Sequence, residues 1–213
     1  VNLSRGSMVE IDVPNGYVLK NIRVSKVVAD VDAIISMPVM KTHCCTKVTL
    51  GVKAMFGILP ERKKSRYHPK LDHVLVDIVS AIRPRLTMID ATTAMEGEGP
   101  FNGDPIQLGL LIAGNNVVST DACAAAIMGI DPLSIDHLKL ASEKALGTIS
   151  LDEIEVRGIS VEDVTRPFRQ ATPERRDRIL SRVSKELCYV VLHRHYEEAV
   201  KSWRSSVGSP QRS

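Results

Sequence analysis

The pattern that most constrains the fold is a set of three strand-like apolar runs separated by helical segments. The runs cover residues 32–37, 86–91 and 106–113. Helical spacing of apolar residues lies between the first two runs, at 71–82, and follows the third run from about Ser119. Near-continuous apolar strands are typical of strands buried on both faces, as in parallel sheets. The sequence therefore predicts an α/β fold with a mostly parallel sheet flanked by helices.

The segments between these runs have weaker signals. The pattern predicts a strand within 16–25 and a helix over 46–58, although two glycines interrupt the latter. Charged residues bounded by prolines predict a loop at 60–70, and glycine and acidic residues predict a second loop at 92–105. Alternation of apolar and polar residues predicts a short strand at 151–158.

Length and charge suggest how the chain is organised. Its 213 residues, 44% of them hydrophobic, suffice for one sizeable core. We expect an α/β domain over 1–170, an amphipathic helix over 171–204 and a disordered tail over 205–213. From Arg166 onward the net charge is +6, whereas the preceding part carries −3. A basic tail could contact nucleic acid or anionic lipid, but we interpret it as a solvated helix face and do not expect nucleic-acid binding.

The cysteines indicate a reducing compartment. Cys44, Cys45, Cys123 and Cys188 are the only four, and their spacing matches no CxxC zinc or iron–sulfur template. Neighbouring cysteines are most often small core residues, and a role for Cys44 and Cys45 as ligands or nucleophiles is the alternative. The sequence contains no apolar run long enough to span a bilayer. We therefore expect a cytoplasmic protein.

The first candidate site follows the first apolar run, in the stretch PVMKTHCCT. In parallel sheets, ligands bind beyond the carboxyl ends of strands. There Lys41, Thr42 and His43 offer a cation, a hydroxyl and an imidazole, which suit a carboxylate or phosphate. A following helix would add free N–H groups, and Lys53 would return to the same side. The alternative is a solvated Lys41 and a His43 bonded to the backbone.

The second candidate site follows the second apolar run and is acidic. Asp90 ends the strand, where a buried charge is costly without a purpose. Acidic residues and glycines then alternate: Glu96, Gly97, Glu98, Gly99, Gly103 and Asp104. Carboxylates on such a backbone can hold a divalent metal ion or act as acid and base groups. The alternative is an exposed polar turn.

The third candidate is Asp121, near the start of an alanine-rich helix. An acidic residue in the first turn interacts favourably with the helix dipole, so a structural role is the simpler interpretation. The other interpretation is that Asp121 faces the crevice. His68 and His73 lie in polar settings and are interpreted as structural or solvated. The sequence lacks GxSxG, GxxxxGK[ST] and GxGxxG, which mark hydrolases, P-loops and dinucleotide sites.

Several blocks in order resemble one family. The stretch ISMPVMKTH, followed by VTLGVKAMFG, is similar to the NLPKLKTH and VTGALKNLFG blocks of the family called domain of unknown function 362. The resemblance continues to about residue 170 and implies a prokaryotic α/β domain, often with a ferredoxin-like iron–sulfur module. This chain has no CxxCxxC run, so we expect no iron–sulfur cluster in it. The family's opening KPN block is also missing, and we expect that an N-terminal segment is absent.

The resemblance names a family without an agreed reaction, so whether the chain is an enzyme stays open. Our first hypothesis is a redox-associated or small-molecule enzyme that binds an anionic ligand. The second is a non-catalytic module for a cofactor or a redox partner protein, and the third makes the basic tail a docking helix. Catalytic roles fall to His43, as proton carrier, and to Asp90 and Glu96. The ligand-binding residues carried over with the motif are Lys41, Thr42, Lys53, Gly97, Gly99 and Asp121.

Overall fold

The computed structural model describes residues 2–61 and 63–172 of the chain. Seven strands lie in this part: β1 (Met8–Asp12), β2 (Asn21–Ser25), β3 (Ile35–Ser36), β4 (Val39–His43), β5 (Lys47–Thr49), β6 (Leu86–Glu98) and β7 (Asn102–Gly114). The α-helices are α1 (Lys26–Asp30), α2 (Gly51–Ala54), α3 (Leu71–Ala81), α4 (Val117–Ile127), α5 (Asp136–Glu143) and α6 (Val161–Val164). Short 3-10 helices cover Met55–Ile58, Lys64–Lys70, Pro132–Ser134 and Leu151–Glu153.

The central sheet confirms the predicted α/β class. Strands β3 and β4 both run parallel to β6, one after the other along the same edge. Strands β5 and β7 run the opposite way, with β5 paired to β4 and β7 paired to β6. Three of the five strands in this sheet therefore share one direction, and helices α2 to α5 flank it.

The helices cover one face of the sheet and form the core with it. Residues Ile89 and Ala91 of β6 point into this core, where they join fully buried residues of the helices such as Val52, Leu75 and Val118. The opposite face is more open than predicted. Side chains of the predicted runs that we expected to be buried are exposed there: Ile35 (53%), Met37 (69%) and Leu111 (61%).

A small antiparallel ribbon of β1 and β2 is attached to the helical layer through Asp77. This residue of α3 is fully buried, and its carboxylate accepts backbone N–H bonds from Tyr17, Val18 and Leu19 at 2.7–2.8 Å. Strand β1 was not predicted from the sequence. The short helix α1 follows β2 directly and is capped by the side chain of Ser25.

Four local predictions were wrong. The first is the loop expected at 60–70, where Lys64–Lys70 forms a 3-10 helix. The segment 46–58 is not one helix but a strand, a four-residue helix and a 3-10 turn. The expected loop over 92–105 is mostly a β-hairpin, because β6 continues to Glu98 and β7 already begins at Asn102. The expected strand over 151–158 is a 3-10 turn followed by irregular chain. The amphipathic helix predicted over 171–204 and the tail over 205–213 lie, apart from residues 171 and 172, outside the described residues.

Candidate functional site

The stretch His43–Lys47 forms the tight connection between β4 and β5, not the start of a helix. Residues Lys41, Thr42 and His43 of β4 pair with Thr49, Val48 and Lys47 of β5. Within the turn, the Nδ1 atom of His43 accepts N–H bonds from Cys45 at 3.0 Å and Thr46 at 3.3 Å. The imidazole therefore holds the turn, which is the backbone-bonded alternative for His43 from the sequence.

Two thiols lie beside this imidazole. The Sγ atoms of Cys44 and Cys45 are 3.8 Å apart, and one ligand atom each from His43, Cys44 and Cys45 lies within 4.8 Å of the others. Cys44 is buried and Cys45 is half-buried. The backbone N–H of Cys44 donates to the carbonyl of Gly99 at 3.3 Å, which ties the turn to the β6–β7 hairpin. We refer to His43, Cys44 and Cys45 as the thiol turn.

Burial keeps the His43 imidazole neutral. Its pKa is lowered to about 3, first by desolvation and then by the positive charges of Lys53, His68, His137 and Lys41. A protonated ring would also bring its Nδ1–H against the two backbone N–H groups that now donate to it. With Nδ1 as acceptor, the neutral ring carries its proton on Nε2. His43 is thus arranged to donate a hydrogen bond, and the arrangement disfavours the expected role of proton carrier.

Lys41 and Lys53 lie near the thiol turn. Lys64 lies near Lys53, with the ammonium groups of Lys53 and Lys64 both over the Phe56 ring. We call Lys41, Lys53 and Lys64 the lysine cluster. The pKa of Lys53 is lowered, chiefly by burial and next by the charge of Lys64; Lys41 acts in the same direction, and Cys45 and Cys44 oppose it. Burial likewise lowers the pKa of Lys64. None of the ion pairs between described residues involves any of the three.

Two cavities, each of about 410 Å³, meet at Cys45. The first is lined by the whole thiol turn, by Ile130, by Phe168 and by Gln170 to Thr172. The second is lined by Cys45, His68 and Asp72, among others. Cys45 therefore contributes to the walls of both spaces, and His43 and Cys44 to the first.

Thr42, Gly97 and Gly99 hold the thiol turn in place. The buried Thr42 hydroxyl donates to the carbonyl of Gly97 at 2.9 Å. Gly97 has a φ of +78°, which favours glycine. A Cβ atom on Gly99 would lie 2.0 Å from the carbonyl oxygen of Thr42. These contacts give the three predicted ligand-binding residues a framework role.

Glu96 is engaged by the segment that follows α6. Its carboxylate accepts bonds from the backbone N–H and from Nε of Arg169, both at 3.0 Å. Arg169 also pairs with Asp104, and the N–H of Thr172 donates to Glu98 at 2.9 Å. The pKa of Glu96 is lowered, mainly by the backbone N–H of Arg169. The acidic hairpin therefore binds this segment, which sequence reasoning missed, and Glu96 has no contact with His43.

Asp90 is also separated from the thiol turn. It lies opposite Val39 in the parallel pairing, on the open face of the sheet, and accepts bonds from the N–H and hydroxyl of Thr92. The Thr92 hydroxyl is the main cause of its lowered pKa. His43 is four residues further along β4, which corresponds to about 13 Å. The structure thus does not bring His43 and Asp90 into one pocket.

Asp121 caps a helix from a distance of 70 residues in sequence. Its carboxylate is fully buried and accepts the N–H groups of Gly51 and Val52, both at 2.7 Å, at the start of α2. Burial raises its pKa to about 7, although the two N–H bonds act the other way. These N–H groups are therefore occupied. The sequence had suggested that they are free to bind an anion near His43.

One buried pair carried no sequence signal. His137 of α5 is fully buried, and its Nδ1 lies 2.8 Å from the carboxylate of Asp72 on α3. Its Nε2 has no hydrogen-bond partner among the described residues. Neither residue belongs to a recognisable motif, because the two are 65 positions apart.

Comparison with known proteins agrees with the resemblance seen in the sequence. A thylakoid-associated protein of Synechocystis sp. is 34% identical over 134 residues, which are 60% of this chain and 41% of that protein. The chain thus spans less than half of its relative's length. No solved structure matches the chain. Residues 1–126 match the family described as Domain of unknown function (DUF362), more than half of the chain, and the chain therefore belongs to this family.

Proposed function

We propose that this chain binds a small anionic ligand, a carboxylate or a phosphate, beside the thiol turn, as part of a redox-associated or small-molecule enzyme. The observation that carries the proposal is the lysine cluster. The charges of Lys64 and Lys41 both help to lower the pKa of Lys53, and none of the ion pairs between described residues involves any of the three lysines. The charge of Glu61 acts on Lys64 and partly opposes the lowering of its pKa by burial. Like charges held together in a partly buried place favour an anionic ligand.

The lowered pKa of Lys53, caused first by burial and next by the charge of Lys64, supports this proposal because a bound anion would act against it. A bound negative charge favours the ammonium form and raises the pKa of Lys53. Binding should therefore be accompanied by proton uptake, in an amount that grows as the pH approaches the pKa of the unliganded lysine. The neutral His43 can donate a hydrogen bond to the same anion through Nε2.

The thiols supply the redox part of the proposal. A lysine cation beside a cysteine favours the thiolate, which is the nucleophilic form. Cys45 also lines both cavities that meet at the thiol turn. Among the described cysteines, Cys123 is apart from Cys44 and Cys45 and lines a different cavity with Leu110 and Ile127.

The separation of Asp90 and Glu96 from His43 favours a second candidate function, a non-catalytic module that binds a cofactor or a redox partner. Asp90 lies about 13 Å along the strand from His43, and Glu96 is held by Arg169. An acid–base pair within hydrogen-bond reach of one ligand is thus not formed by the predicted catalytic residues. NMR spectra of a ligand incubated with the protein distinguish the two candidates. An enzyme converts the ligand to a product, whereas a binding module leaves it unchanged.

Calorimetric titration with phosphate and with citrate tests the binding proposal. Since hydrogen bonds to charged groups contribute about 1.5–3 kcal/mol, we expect Lys53→Gln to weaken binding about tenfold or more. Lys20→Gln is the control, because Lys20 is exposed beside the β1–β2 turn. Titrations in buffers of different ionisation enthalpy report the proton uptake. Equal losses in both variants, or the absence of binding, would contradict the proposal.

We propose a cytoplasmic location, and the relative's name suggests attachment to a membrane surface instead. Among the described residues, no helix is both long and apolar enough to cross a bilayer. Fractionation of cells that express the chain, with and without a salt wash, distinguishes the two locations. A pellet that releases the protein only in salt would contradict the cytoplasmic proposal.

A further inference from the structure

The sulfur atoms of the thiol turn have the spacing of two ligands of a tetrahedral metal ion. Zinc–thiolate bonds are about 2.3 Å long, so two sulfurs on one tetrahedral zinc ion lie about 3.8 Å apart. The Sγ atoms of Cys44 and Cys45 are separated by 3.8 Å. Disulfide-bonded sulfurs would lie at about 2.05 Å. The observed separation therefore fits a shared ion better than a disulfide.

A third ligand and an open position are present at the same place. A ring nitrogen of His43 lies within 4.8 Å of both sulfurs. All three residues line one cavity of about 410 Å³, which leaves room for a water molecule or an external ligand in the fourth position. Two cysteines, one histidine and an open position form a known catalytic type of zinc site.

From this arrangement we propose that the thiol turn binds a thiophilic divalent ion such as Zn²⁺ through Cys44, Cys45 and His43. The inference does not depend on the anion-binding proposal, which rests on the lysines. Binding replaces two S–H bonds by two Zn–S bonds and releases two protons. Two thiolates and one Zn²⁺ form an electrically neutral unit, so the nearby lysine cluster does not repel it.

Coordination by His43 requires a local rearrangement. Its Nδ1 atom now accepts the N–H groups of Cys45 and Thr46. A metal on Nδ1 would displace both bonds, and a metal on Nε2 would place a proton on Nδ1, facing them. In either case, the amide resonances of Cys45 and Thr46 must shift when the ion binds, whereas distant amides such as that of Glu10 should not.

Cobalt titration of the full chain, reduced and without oxygen, tests the site. We expect one Co²⁺ per chain and a thiolate-to-cobalt absorption band that Zn²⁺ abolishes. Cys44→Ser and Cys45→Ser should each reduce this band and weaken binding at least about 100-fold, since even outer partners of a metal change affinity about 10- to 100-fold. Cys123→Ser is the matched control, because Cys123 is buried in another cavity.

A labelling experiment on the unchanged chain keeps the proposal testable if a serine variant fails to fold. Iodoacetamide labelling, followed by mass spectrometry, reports each cysteine separately. We expect Zn²⁺ to protect Cys44 and Cys45 at least about tenfold, by analogy with the affinity effects of metal partners, and to leave Cys123 unchanged. Absence of a thiolate band, or equal labelling of Cys44 and Cys45 with and without Zn²⁺, would overturn the proposal.

Discussion

Replacement of Gly99 by alanine tests whether this glycine serves the framework or a ligand. The added Cβ atom would lie 2.0 Å from the carbonyl oxygen of Thr42 and 2.9 Å from its hydroxyl oxygen. Ordinary contacts begin at 3.4 Å, so backbone must move against backbone by more than an ångström. Thr42 cannot move freely, because its hydroxyl is bonded to Gly97 and its strand is paired on both sides.

The expected cost follows from these contacts. Overpacking typically costs about 1–3 kcal/mol, and the displacement also strains the Cys44–Gly99 backbone bond. We therefore expect Gly99→Ala to lower the free energy of unfolding by about 3 kcal/mol. The thiol turn should move with it, so that thiol labelling of Cys44 and Cys45 becomes faster in the folded protein.

Gly57→Ala is the matched control for this experiment. A Cβ on Gly57 would meet no atom within 4 Å, and its backbone is not in the left-handed region. Alanine there should be neutral or stabilise by up to about 1 kcal/mol. Urea denaturation of the two variants measures the difference. If Gly99→Ala unfolds at the same urea concentration as Gly57→Ala, the framework role of Gly99 is refuted.

Three further predictions concern groups that hold the fold together. Asp77→Asn should lower the free energy of unfolding, measured by urea denaturation, by about 3 kcal/mol, because an amide cannot accept all three N–H bonds that the buried carboxylate accepts. The control Asp32→Asn, at an exposed position, should change the free energy of unfolding little. The pKa of Asp121 in the folded protein is raised to about 7, so its contribution to stability should fall by up to about 4 kcal/mol as the pH rises from about 4 to 7. Urea denaturation at about pH 5 and pH 8 measures this change, and Asp121→Asn should not show it. Arg169→Gln should change stability by less than about 1 kcal/mol, because its ion pairs are exposed, and the amide of Gly97, bonded to the Arg169 carbonyl, should stay protected from hydrogen exchange.

Elements with a clear periodicity were predictable from the sequence. The apolar stripe of α3 gave its bounds to within one residue, and the apolar run at 86–91 forms the first part of β6. The hairpin beyond it was missed because its residues are small, polar and rich in glycine. Their pairing is decided by β7, which supplies eleven cross-strand partners to β6, and not by any local preference.

The candidate site was only partly predictable for a similar reason. The rule for parallel strands placed it in a loop after the apolar run at 32–37, whereas Lys41, Thr42 and His43 lie in the strand β4 that follows β3. The importance of the sequence Lys-Thr-His followed from the family resemblance. Which backbone groups are occupied depends on contacts that are distant in sequence. Asp121 takes the N–H groups of α2 from 70 positions away, and Glu96 meets Arg169 across 73 positions. Neither contact leaves a pattern in a single sequence.

These long-range contacts change which groups can act at the thiol turn. Since the N–H groups at the start of α2 are occupied, an anion must be held by side-chain cations, and the lysine cluster is the group that remains for it. Since Asp90 and Glu96 are engaged elsewhere, the acid–base chemistry expected of them has no structural support beside His43. The groups left at the end of β4 are a neutral imidazole, two sulfur atoms and three lysines. Cys44 and Cys45, which the sequence favoured as core residues, are therefore the groups to which we assign the proposed metal binding, and we expect the chemistry of this site to be thiol chemistry.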